Sequence, residues 1–95
     1  MAKRRHLKKD IEYLIYEVIS DCFTLLRSKK DVDQSKLIEI LSDAEALGND
    51  LIARVNHPDG SENPKIAKAH YNKVRHDLLT GVDALFERVS ALAAQ

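Results

Sequence analysis

Asp10, Glu17 and Asp21, with Tyr13 beside them, recur at spacings that bring them to one flank of a helix. A row of carboxylates next to a phenol can do acid/base work. The same row also serves as the polar border of a helix, partnered by Lys or Arg from a neighbour, and that is its expected role here. His70 and Asp77 are two helical turns apart on one flank, so any His–carboxylate contact between them is read as structural. His70 and His76 are six apart and point to different faces, which defeats the i, i+3 or i, i+4 spacing of helical metal ligands. His57, Asp59 and Glu62 share a loop too short to complete a coordination shell. Cys22 is the only cysteine, which excludes an intramolecular disulfide and a thiolate zinc cage. It falls within an apolar stripe, where burial raises a thiol's pKa and leaves it inert. No glycine-rich loop cradles a phosphate. The expectation is a chain with no catalytic residues, no metal and no cofactor.

The remaining candidate is "AKRRHLKKD", residues 2 to 10, with five Lys/Arg in nine positions. Cations at a helix N-terminus oppose the macrodipole, each at a cost of about 0.3–1 kcal/mol at low salt. Either the first residues fray or the charge has a use. The whole chain holds 15 Lys+Arg against 15 Asp+Glu, a net charge of zero, so no global field advertises a polyanion. Apolar residues make up 44% and charged ones 32%, a globular balance. No secretory h-region follows the basic start and no run approaches the roughly 20 apolar residues of a membrane span, so a cytoplasmic protein is expected.

The elements that position these residues are three. The first helix is predicted from about Lys3 to Arg27, on apolar positions Leu7, Ile11, Leu14, Ile15, Val18, Ile19, Cys22, Phe23, Leu25 and Leu26. The second is predicted over 32–55, opened by a capping box of Asp31 and Gln34. Its core stripe is Leu37, Ile40, Leu41, Ala44, Leu47, Leu51 and Val55, with Gly48 inside it and Ile38 and Ile52 off it. The loop "NHPDGSENP" contains a type I turn at Pro58, Asp59 and Gly60, then an N-cap at Asn63 and Pro64 at the first helical position. The third helix is predicted over 64–92, on Ala67, Tyr71, Val74, Leu78, Gly81, Val82, Leu85, Val89 and Leu92. Short connections make neighbours antiparallel. The fold class is all-α: a single-domain, up-down-up antiparallel three-helix bundle, completed in one reading by self-association. Folding back at the loops sets Gly48 level with Tyr13 and Gly81 level with Phe23, each glycine making room for a ring or a close backbone.

The bundle gathers charge at its ends. The pole holding the starts of helices 1 and 3 and the end of helix 2 has ten cations against six acids, a net of +4; the five cations and nine acids elsewhere give −4. Arg4, Arg5, Lys8, Lys9, Lys65 and Lys68 are the basic-pole candidates for a phosphate-bearing partner. Nucleic acid is possible but not favoured, because no aromatic is interleaved before Tyr13 and no helix-turn-helix spacing is present. Its signature would be steeply salt-dependent affinity, lost when Arg4, Arg5, Lys8 and Lys9 are neutralised.

Helix 1 also has more apolar surface than it needs. Its apolar arc spans about half the circumference, against the roughly 100° of a surface helix. Three-helix packing absorbs broad faces; a second buried face in a homodimer or with another protein would also use them. The interface candidates are Ile15, Tyr16, Ile19, Phe23 and Leu26, and the leading expectation is a non-enzymatic interaction domain that associates with itself or a protein partner.

Residues 4 to 23, "RRHLKKDIEYLIYEVISDCF", resemble the opening of small uncharacterised all-helical bacterial proteins. The shared pattern is a basic start, Leu-Lys-Lys-Asp/Glu-Ile, and an amphipathic helix with a Cys. It covers about the first quarter of the chain. The resemblance implies a helical fold and bacterial origin, and carries over no activity and no site residue.

Overall fold

Helix α1 runs Ala2–Ser28, α2 Gln34–Asn56 and α3 Pro64–Ala94. The structure is a computed structural model and describes residues 2–57 and 63–95, with the side chains from Arg4 onward in α1. The turn expected at Pro58, Asp59 and Gly60, and the loop carboxylates Asp59 and Glu62, lie outside the described residues.

Polar contacts between helices set their directions. Arg4 near the start of α1 donates to the Asn56 carbonyl at the end of α2 (3.2 Å), so these two run antiparallel. Arg54 pairs with Asp77 and Asp43 with Arg88, each at 2.8 Å, so α2 and α3 also run antiparallel. Asp10 and Arg75 are 3.4 Å apart near one end of α1 and α3, and Lys29 Nζ donates to the Gln95 carbonyl at the other (2.7 Å). The result is the up-down-up bundle, 52 Å long and about 17 Å across, with every pair of helices in contact.

One core runs its length. Leu7, Ile11, Val18 and Cys22 of α1 meet Leu37, Ile40, Ala44, Leu51 and Val55 of α2 and Val74, Leu78, Val82, Leu85 and Leu92 of α3, all buried. These positions recur every three or four residues, which is what turns one stripe of each helix inward.

The start of α2 differs from the expected capping box. Asp33, not Asp31, is the N-cap: its Oδ1 accepts from the backbone N–H of Ser35 (3.1 Å) and Lys36 (3.3 Å) and from the Ser35 hydroxyl (2.7 Å). The helix accordingly begins at Gln34, two residues later than predicted. Val32 explains the shift. It is buried ahead of the cap, as is Leu37 four residues after it, the arrangement of a hydrophobic staple that fixes where the chain enters the helix. Asp31 stays in solvent, 3.4 Å from Lys29. The start of α3 follows expectation: Asn63 Oδ1 accepts from Lys65 N–H (3.0 Å) and Ile66 N–H (3.4 Å), with Pro64 at the first turn.

Both helical glycines face a neighbour, though not the rings expected. A Cβ on Gly48 would stand 3.3 Å from Ile15 Cγ1, and one on Gly81 2.8 Å from Leu47 Cδ2. Gly48 is thus level with Ile15, two residues from Tyr13, and the bulk it admits is a branched aliphatic chain. Gly81 admits Leu47 of α2, not Phe23 of α1.

Candidate interaction surface

The chemically capable residues are mostly occupied in holding helices together. Cys22 is fully buried, and burial, reinforced by the Asp21 charge, pushes its thiol above the ordinary value, with Arg88 opposing. Asp10 is paired with Arg75 of α3, which gives it the border role. His70 and Asp77 do not meet each other. Both engage Arg54: Asp77 takes its guanidinium, and His70 Nε2–H donates to its backbone carbonyl at 2.7 Å. Asp50 (3.6 Å from Arg54) and Lys73 (3.8 Å from Asp77) complete the cluster. The Arg54 hydrogen bond, with help from the Lys73 charge, holds Asp77 below the usual carboxylate range despite its partial desolvation. No group of three or more metal-ligating side chains occurs among the described residues.

His70 belongs to an arrangement that no local sequence pattern announced. The last carbonyls of a helix have no partner within it and carry its negative dipole end. At the end of α2, Ala53 O accepts from the His57 N–H (3.1 Å), Arg54 O from His70, and Asn56 O from Arg4. Cations that are unfavourable at the start of α1 therefore lie beside the C-terminal end of an antiparallel neighbour, where the dipole favours them. Part of the basic stretch is explained by this alone.

The other basic-pole candidates are less committed. Arg54, Lys73 and Arg75 are neutralised by carboxylates, whereas Arg4, Arg5, Lys8, Lys9, Lys65 and Lys68 make no ion pair with a described carboxylate.

The largest apolar feature is the α1/α2 seam on the side away from α3. Tyr16 (65% exposed), Phe23 (47%) and Leu26 lie open on α1, and Ile38 (63%) on α2. Ile19, Leu41 and Ile52 are half-buried along the same seam. Between the helices runs a groove of about 330 Å³, floored by Ile11, Ile15 and Gly48 and walled by Tyr16, Ile19 and Ile52, with Glu12 and Glu45 on its rim. Of the five α1 candidates, four contribute to this face. Ile15 is turned inward onto Gly48 and only 8% exposed, so it belongs to the core. The α2 half of the face was missing from the sequence-derived set. Its signal was present in Ile38 and Ile52, which fall off the core stripe of their own helix. Tyr13, Ile66 and Leu79 are exposed elsewhere on the bundle.

Fold and surface together define an all-α three-helix bundle with one uncovered two-helix seam. Among known proteins the chain matches no family model, no curated protein and no solved structure. Among the described residues, no helix is long and apolar enough to cross a membrane.

Proposed function

We propose that this protein is a non-enzymatic helical interaction module that self-associates through the α1/α2 face. The observation carrying this reading is the continuity of apolar side chains across two helices: Tyr16, Ile19, Phe23 and Leu26 opposite Ile38, Leu41 and Ile52. Each such side chain gains about 1.5–3 kcal/mol when fully covered. A contiguous patch of this kind, rimmed by polar groups, marks an interaction site, while single exposed apolar residues do not. The aromatic members have the amphipathic character suited to a surface that is wet on one side and dry on the other. The second copy is the favoured occupant because the molecule is electrically self-complementary, one half basic and the other acidic at zero net charge. The basic pole gives weaker support to a phosphate-binding reading, since Arg4 is already occupied with the end of α2.

The test is solution mass by light scattering over a concentration series. The 10.7 kDa chain is expected to give a dimer, and Tyr16→Glu/Ile38→Lys a monomer of unchanged helicity, because both side chains are largely exposed. A parent chain that stays monomeric at every concentration removes the proposal.

A further inference from the structure

The α1/α2 face changes electrical character along its length. Lys8 stands three helical turns before Ile19, and Arg5 five turns before Phe23, so both continue the flank of α1 that carries the apolar residues. Lys9 borders them. None of the three makes an ion pair with a described carboxylate. At the other end the seam is closed by the α1–α2 connection, which carries Asp31, 86% exposed, and Asp33. One face therefore presents cations at one end, apolar side chains in the middle and carboxylates at the other end.

Resting on the self-association proposed above, we infer that two copies pair antiparallel, across a two-fold axis close to Ile19, with Lys8 and Lys9 of each copy facing the partner's Asp31 and Asp33. The register follows from helix geometry. Ile15 is level with Gly48, and Asp33 lies 15 residues back from Gly48 along α2, about 22 Å. Ile19 lies about 6 Å from Ile15 in the same direction. Asp33 is thus about 16 Å beyond Ile19, and Lys8, eleven residues before Ile19, is about 16 Å on the other side. A two-fold axis at Ile19 superimposes these levels. It also lays Tyr16 over the partner's Phe23, joining the two exposed rings of the α1 flank in one apolar centre.

The parallel alternative is electrostatically poor. It would collect Arg5, Lys8 and Lys9 from both copies at one end of the assembly. Like charges brought together across an interface suppress that arrangement, which is how charge selects orientation without supplying most of the affinity.

Orientation is read from the distance between nitroxide labels on His6→Cys, an exposed α1 position outside the face. Buried Cys22 stays in place, and the parent chain, expected to take no label, is the control. The antiparallel pair puts the two labels about 40 Å apart along the bundle axis. A parallel pair puts them within about 25 Å, the width of adjacent helices. A distance near 40 Å supports the inference. A short distance overturns the orientation and leaves self-association standing. A concentration-independent monomer with no dipolar coupling overturns both. As a second measurement, Lys8→Glu/Lys9→Glu is expected to weaken the dimer about tenfold at low salt, four rim pairs being lost. Mixing it with Asp31→Lys chains is expected to recover much of the loss. An unchanged dissociation constant removes the charge argument.

Discussion

Arg54 shows how a single side chain can define the role of its neighbours. Its guanidinium binds Asp77 and Asp50, and its carbonyl receives His70, so three titratable groups that could suggest a reactive cluster instead fasten α3 to the end of α2. The energetic consequence is pH-dependent. A carboxylate whose folded-state pKa is depressed contributes stability above its ordinary pKa and loses it as pH falls through the depressed value. Asp77 is in that position because of its bond to Arg54. Asp77→Asn is therefore expected to be less stable than the parent at pH 7, with the difference shrinking as pH is lowered from about 4 to 2. Urea unfolding of both chains across that range measures it; a gap that stays constant would place the stabilising contact elsewhere.

At the scale of elements, each helix start is set by one short polar side chain, and each seam by what the opposite helix can admit. Asp33 and Asn63 satisfy the first N–H groups of α2 and α3, while α1 has no acidic residue in its first turn and leans instead on the end of α2. The α2/α3 seam closes over Gly81, into which Leu47 projects. Alanine there would displace only the far methyl of Leu47 and would add helix propensity, offsetting effects. Valine adds two more carbons into the same space. Gly81→Val is expected to destabilise the bundle by about 1–3 kcal/mol, the usual cost of overpacking. Chemical denaturation with unchanged helicity at zero denaturant checks it, and a neutral result would mean the seam opens freely at that level.

For the whole molecule, the decisive feature is that three helices of similar length cannot cover both sides of every seam. α3 seals one side of the α1/α2 pair and leaves the other bare, with cations and carboxylates at its two ends. A second copy supplies both the missing apolar cover and the opposite charges. Association that favours the folded state ties stability to concentration. The melting temperature of the parent is expected to rise with protein concentration, while that of Tyr16→Glu/Ile38→Lys stays fixed. Identical, concentration-independent midpoints would show that the bare seam is tolerated in water.

Local pattern was enough to determine the all-α class, the number of helices, the Asn63–Pro64 start of α3, the burial of Cys22 and the excess apolar arc of α1, because each depends on residues within one or two helical turns. The three-and-four spacing of Leu7, Ile11, Val18 and Cys22 can serve only a helix with a buried stripe. Other features depended on which helix lies beside which. Burial of Val32 moved the cap from Asp31 to Asp33. Ile15 became core because Gly48 opens a space opposite it, while Ile38 and Ile52 became face because α3 lies on the other side of the pair. Arg4 found its role 52 residues away, at the exposed carbonyl of Asn56. Periodicity along one chain determines how wide an apolar arc is; only the packing of helices determines which part of that arc is covered.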